Sequence, residues 1–112
     1  MTRHSIKQLS AEEWKPGNYL EYATINRPVS EIVGDLPVVF EEYYEPGLGR
    51  CKSARLATPE GTSFVLISHL DTSIPITEIA ILYNPTTSSR DFDRALKALG
   101  LSRLDVDHVA SW

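Results

Sequence analysis

A histidine and an aspartate two residues apart form the pattern in this sequence that comes closest to acid–base chemistry. They lie in Ser68-His69-Leu70-Asp71. On a β-strand, residues two apart point to the same face, so the Asp71 carboxylate is placed to orient the His69 imidazole. Ser68 then points to the opposite face, which disfavours a Ser-His-Asp nucleophile. We therefore favour a structural histidine at the end of a strand and keep His69 and Asp71 as the only catalytic candidates.

A metal centre would need more ligands than this pair. The other side chains that could contribute lie near the C-terminus and are Asp105, Asp107 and His108. They would meet His69 only if the last strand paired near the strand that ends there, and no ligand spacing typical of a metal site is present. Alternating acids on a solvated edge strand are the favoured interpretation, and we predict neither a metal nor another cofactor.

Two further motifs have both a chemical and a structural interpretation. Gly47-Leu48-Gly49-Arg50 offers glycines and a cation to a phosphate, but a dinucleotide fingerprint needs a third glycine and a helix directly afterwards. We predict a turn between two strands instead. Cys51 has no base in its local sequence, which indicates a small, partly buried thiol rather than a nucleophile. It is the single cysteine, so an internal disulfide is excluded.

The least ordinary stretch of the sequence is acidic and contains paired tyrosines. Residues 28–49 hold five carboxylates and no Lys or Arg. As a strand, this stretch places Glu41, Tyr43 and Glu45 on one face and Phe40, Glu42 and Tyr44 on the other. Carboxylates steer and pair with Lys or Arg, and tyrosine supplies contact area at low entropic cost. We predict a surface for a basic protein partner, formed by Glu41, Glu42, Tyr43, Tyr44 and Glu45. The alternative is a solvated edge strand whose charges prevent aggregation.

Composition narrows the class of protein further. The 112 residues suit a single compact domain over residues 1–112, and 42% hydrophobic residues is ordinary for a globular fold. Fifteen acidic and eleven basic residues give a net charge of −4, which disfavours a generally basic nucleic-acid binder. No apolar run approaches the roughly 20 residues of a membrane-spanning helix, and the N-terminus lacks a signal-peptide pattern. We therefore expect a cytoplasmic protein with no membrane partner.

Local patterns predict an α+β fold. The predicted elements are a helix over Leu9–Lys15, a strand over Asn18–Ile25, a short helix or loop from Pro28 to Val33, strands over Val38–Glu45, Arg50–Ala57, Thr62–Leu70 and Ile76–Tyr83, a helix over Ser89–Leu99 and a final edge strand from Leu104. The turn Thr58-Pro59-Glu60-Gly61 joins two of the strands into a hairpin. The resulting prediction is a mostly antiparallel sheet of five or six strands, with a C-terminal amphipathic helix packed on one face.

The C-terminal helix carries the clearest signals. Its apolar stripe, at the spacing i, i+3, i+4 and i+7, consists of Phe92, Ala95, Leu96 and Leu99. Ser88 is the predicted N-cap, and Gly100 is the predicted left-handed residue just beyond the end.

These observations favour a non-enzymatic binding protein that neutralises or regulates a basic protein partner. Immunity proteins and antitoxins are of this kind, and a nuclease-type toxin presents the basic cleft that an acidic surface can occlude. The alternative is a small enzyme or ligand-binding domain with a pocket around His69 and Asp71, with Tyr43 or Tyr44 nearby. An enzyme requires an enclosed pocket that contains His69, whereas a neutralising protein requires an open acidic face.

Overall fold

One antiparallel sheet and two α-helices make up the part of the chain that the computed structural model describes, residues 6–14, 16–34, 36–72, 76–82 and 86–109. In chain order the elements are β1 (Lys7–Gln8), β2 (Tyr19–Ile25), α1 (Val29–Val33), β3 (Glu41–Glu45), β4 (Gly49–Ala57), β5 (Ser63–His69), β6 (Thr77–Leu82), α2 (Ser88–Ala98), a 3-10 turn (Arg103–Asp105) and β7 (Val106–Val109). The strand order is β1-β4-β5-β6-β2-β7, and β3 also pairs with β4. The predicted α+β class with a mostly antiparallel sheet is confirmed.

The sheet has seven strands among the described residues, which is more than the five or six predicted. The additional strand is β1, whose Lys7 and Gln8 pair with Ala57 and Leu56 at the end of β4. Two residues are too few to show the alternation by which a strand is recognised in a sequence. β7 lies beside β2 at an edge of the sheet, as predicted for the final strand. No described helix is long and apolar enough to cross a membrane.

The hydrophobic core lies between one face of the sheet and both helices. Leu56, Phe64 and Ile81 stand side by side on neighbouring strands and are fully buried. The apolar stripe of α2 and the three buried residues of α1 belong to the same cluster. The fold prediction assigned only the C-terminal helix to this face, because the five residues of α1 are too short for a clear helical period.

The ends of α2 were predicted to within one residue. Thr87 precedes the helix, its hydroxyl bonds the Asp91 carboxylate at 3.0 Å, and its carbonyl accepts the Asp91 N–H at 2.8 Å. The prediction of Ser88 as N-cap is therefore wrong, since Ser88 is already helical. Gly100 has φ of 75°, as predicted for the residue that follows the helix.

The predicted hairpin of β4 and β5 is confirmed. The Gly61 N–H donates to the Thr58 carbonyl at 2.9 Å and closes the turn. The pairing then runs from Ala57 opposite Ser63 to Cys51 opposite His69. This register places the single cysteine beside the central histidine of the sheet.

The predicted helix over Leu9–Lys15 is wrong. Its capping signal forms, because the Ser10 N–H donates to Glu13 Oε1 at 3.0 Å and the Glu13 N–H donates to Ser10 Oγ at 3.3 Å. The chain makes only a turn over residues 11–13. Pro16 follows too soon for a helix to propagate beyond its first turn. Lys15 itself lies outside the described residues.

The N-terminal turn leads into a segment that covers one end of the second sheet face, opposite the helices. Trp14 stacks on Tyr19 with ring centroids 4.1 Å apart, and the Arg55 guanidinium lies 5.6 Å from the centre of the Trp14 ring. Arg55 and Cys51 are four residues apart on β4, so they point to the same face. The side chains most suited to catalysis or ligand binding lie at the Cys51 end of this face.

Candidate functional site

The predicted partner surface is an edge strand. β3 pairs with β4 from Glu41 opposite Ser53 to Glu45 opposite Gly49, and it has no other strand partner among the described residues. All five of its residues are exposed. The strand begins at Glu41 rather than at the predicted Val38. The reason is that the Gln8 side-chain amide bonds the Val39 main chain, at 2.9 Å from the Val39 N–H and 2.6 Å to its carbonyl.

The two tyrosines of β3 occupy different environments. Tyr44 is 70% exposed, whereas Tyr43 is 38% exposed and lies opposite the buried Cys51 of the neighbouring strand. Burial, followed by the nearby Cys51 and Glu45, raises the pKa of Tyr43. The ring of Tyr44 is therefore open to solvent, whereas the ring of Tyr43 is partly packed against the sheet.

The three carboxylates of β3 form no ion pair among the described residues. The nearest cation in register is Lys52, opposite Glu42, and its ammonium lies 5.3 Å from the centre of the Phe40 ring. Glu41 and Glu45 share the other face of the strand. This face carries uncompensated negative charge next to Tyr43.

His69 is oriented by a glutamate from the next strand and not by Asp71. His69 Nε2 lies 2.9 Å from Glu78 Oε1, and His69 Nδ1 lies 3.3 Å from Cys51 Sγ. The predicted pairing with Asp71 is wrong because β5 ends at His69, so the strand alternation no longer applies two residues later. No local pattern links residues 69 and 78, whose contact depends on the pairing of β5 with β6.

Asp71 instead fastens the end of β5 to the start of β4. Its carboxylate accepts the Arg50 main-chain N–H at 2.8 Å and the Arg50 guanidinium at 3.0 Å. These hydrogen bonds hold the pKa of Asp71 below its ordinary value. Gly49 makes the approach possible, because a Cβ there would lie 2.5 Å from Asp71 Oδ2. The turn predicted around Gly47 between two strands is confirmed and lies at residues 46–48. The sequence did not indicate that Gly49 also leaves room for the Asp71 carboxylate.

A cleft of about 280 Å³ opens at this end of the second sheet face. Its walls include apolar Leu48 and Ile76, together with the polar side chains of Thr24, His69, Asp71 and Glu78. The two catalytic candidates of the sequence thus reach one cleft, although Asp71 and His69 each bond a different partner. The cleft is wide open to solvent and is not an enclosed pocket.

Cys51 lies beneath the cleft and is 1% exposed. Burial raises the pKa of its thiol, and the Glu45, Glu78 and Asp71 carboxylates raise it further. His69 is in contact with the sulfur, so the base that local sequence did not provide is present in the fold. The buried, neutral thiol nevertheless lacks the properties of an activated nucleophile.

The C-terminal acids do not join His69. β7 pairs with β2, so β2 and β6 separate it from β5. The Asp105 carboxylate bonds the Arg27 guanidinium at 2.7 Å. Within the described residues, no group of three or more His, Cys, Asp or Glu side chains is arranged to hold a metal ion.

The fold and the site together define a small α+β protein whose sheet is covered by helices on one face and carries acidic groups and a cleft on the other. No protein-family model matches the chain, and no curated protein and no solved structure is significantly similar to it. Its function is therefore inferred from the geometry of β3 and of the cleft.

Proposed function

We propose that the chain is a non-enzymatic binding protein that neutralises or regulates a basic protein partner through β3, as an immunity protein or an antitoxin does. The observation that carries this proposal is the edge position of β3, with five exposed residues of which three are carboxylates. An edge strand that only needed protection from aggregation would be served by charge alone. Here the charges are interleaved with Tyr43 and Tyr44, which are residues that supply contact area in interfaces.

Electrostatics favour a basic partner. The chain has a net charge of −4, and the β3 carboxylates add to it locally without paired cations among the described residues. Such a surface accelerates the encounter with a positively charged protein and excludes acidic ones. A nuclease-type toxin, whose cleft is basic in order to hold nucleic acid, is the partner class that fits this charge best.

Charge reversal on β3 is expected to slow partner association. A partner is first isolated by its binding to the wild-type chain. The association rate constant of this partner is then measured for the wild-type chain and for the Glu41→Lys/Glu45→Lys double variant. Because the charges steer the encounter, the association rate constant should fall by about tenfold or more, and added salt should reduce the wild-type rate in the same way.

The matched control is Glu12→Lys/Glu60→Lys, which changes the net charge equally at exposed carboxylates outside β3. This variant should retain most of the wild-type association rate. Equal rates for both double variants would show that only net charge matters and would remove β3 from the interface. Both variants should remain folded, because exposed charges contribute little to stability.

A second candidate function is a small-ligand or catalytic site in the cleft around His69 and Asp71. It is favoured by the contacts of His69 with both Glu78 and Cys51, which resemble the order of a nucleophile, a base and an orienting acid. The burial of Cys51 and the raised pKa of its thiol count against it.

Alkylation of Cys51 by iodoacetamide separates these two functions. For a non-enzymatic protein, we expect the folded chain to react far more slowly at neutral pH than the unfolded chain. The reaction should accelerate only when the pH rises above the ordinary thiol range, because only the thiolate reacts and the pKa is raised. Fast labelling at neutral pH that is lost in a His69→Ala variant would instead support a catalytic thiol.

A further inference from the structure

The pattern of main-chain hydrogen bonds determines which groups of β3 face outwards. The Arg50 carbonyl accepts the Leu70 N–H at 2.8 Å, so the main chain of Arg50 faces the β5 side of β4. In an antiparallel ladder the direction alternates, so Cys51 faces β3 and bonds its register partner Tyr43. The main-chain groups of Tyr43 are therefore used within the sheet.

The same alternation leaves the main-chain groups of Glu42 and Tyr44 on the outer edge of β3. Each residue provides one N–H and one C=O, and no described strand pairs with this edge. The five residue pairs between β3 and β4 are continuous, without a bulge, and β3 contains no proline. Bulges and prolines are the usual means by which an edge is closed to another strand.

Among the described residues, only charge protects the outer edge of β3 from pairing with another strand, and the three charged side chains of β3 are all negative. Glu41, Glu42 and Glu45 repel a second copy of β3, so the edge is disfavoured as a contact between two copies of this chain. The same carboxylates favour a strand with Lys or Arg opposite them. Charge therefore selects the occupant of the edge.

We infer that an extended segment of the basic partner adds to β3 as a further strand of the sheet. The main chain of this segment bonds Glu42 and Tyr44, and its Lys or Arg side chains occupy alternate positions on the face of Glu41 and Glu45. Alternation follows from the two-residue period of a strand. Main-chain pairing provides affinity and the alternate cations provide selectivity, as in other complexes formed by strand addition. The inference rests on the proposed function, because it specifies how the same surface binds.

The test uses a blocked peptide of alternating lysine and valine as the probe, at low ionic strength, with amide hydrogen exchange followed by NMR. In the free protein, the Glu42 and Tyr44 amides should exchange fast and the Tyr43 amide slowly. Addition of the peptide should slow exchange at Glu42 and Tyr44 by about tenfold or more. A peptide of the same sequence, N-methylated at the amides that would face β3, keeps its charge but should bind about tenfold more weakly.

Two variants of the protein test the same main-chain contact by changing β3 instead of the peptide. Glu42→Pro and Glu42→Ala both remove the carboxylate, but only the proline variant also removes the outward N–H. An edge position whose N–H lies outside the ladder tolerates proline, so slow exchange of the Tyr43 amide should persist and show that β3 is intact. The peptide should bind the proline variant several-fold more weakly than the alanine variant.

The outcomes distinguish this inference from the proposed function. Strand addition is overturned if the wild-type chain binds both peptides with equal affinity, or if both Glu42 variants bind the unmodified peptide with equal affinity. The proposal of a basic partner would still stand. Both the strand-addition inference and the proposed function are overturned if the unmodified peptide does not bind the wild-type chain, or if its affinity is the same for Glu41→Lys/Glu45→Lys. Protection of the Glu42 and Tyr44 amides by increasing protein concentration alone would identify a second copy as the occupant and would also overturn the inference.

Discussion

Replacement of Leu96 by alanine is expected to lower the free energy of unfolding by about 2–5 kcal/mol. Leu96 is 2% exposed and belongs to the core cluster that joins α2 to the sheet. The substitution leaves a cavity between the helix and the strands, because the neighbours on the sheet are held by their hydrogen-bonded register and cannot close it. Chemical denaturation of both proteins, followed by circular dichroism, measures the difference.

Leu104 provides the matched control. It is 97% exposed, so Leu104→Ala removes the same atoms without opening a cavity and should change stability by no more than about 0.5 kcal/mol. Similar losses for the two variants would contradict the packing of α2 on the sheet. A loss at Leu96 alone would confirm that the apolar stripe of α2 provides this contact.

Replacement of Tyr44 by alanine is expected to weaken partner binding by about 2 kcal/mol, which corresponds to roughly thirtyfold in Kd. Tyr44 is the most exposed tyrosine of β3, so its ring is free to be buried by a partner. The effect should appear mainly as faster dissociation, because the loss of an anchor does not alter the charges that steer the encounter. Kinetics with the captured partner measure both rate constants.

Tyr44→Phe separates the ring from the hydroxyl. If the ring is the anchor, the phenylalanine variant should bind nearly as well as the wild-type chain, and all three proteins should be equally stable because the side chain is exposed. An unchanged dissociation rate in Tyr44→Ala would show that the partner does not bury this tyrosine. Charge reversal is expected to change the association rate constant and Tyr44→Ala the dissociation rate constant. The steering and anchoring roles proposed for β3 can therefore be tested separately.

Strands, turns and helices with strong local signals were predictable from the sequence. The hairpin of β4 and β5 follows from Thr58-Pro59-Glu60-Gly61 between two runs rich in β-formers, and α2 follows from one apolar stripe that ends at Gly100. These signals are local because hydrogen bonds and side-chain spacing within a few residues decide them. The acidic strand was also recognised, and β3 lies at an edge of the sheet among the described residues.

Local signals failed in two short segments near the N-terminus. Ser10 and Glu13 form their capping hydrogen bonds, yet the predicted helix is replaced by a turn before Pro16. β1 escaped prediction because its two residues become a strand only by pairing with the end of β4. In both cases the segment is too short for local signals alone to decide its structure.

The amino-acid sequence by itself determined the α+β class, an acidic strand that ends at Glu45, the hairpin turn and the C-terminal helix, since each depends on residue types within a short window. Tertiary structure alone decided that His69 contacts Cys51 and Glu78, and that Asp71 bonds Arg50 instead. These partners lie on different strands, and the register of β4, β5 and β6 brings them together. Strand register depends on how the whole sheet buries its apolar face, which no short segment of sequence encodes.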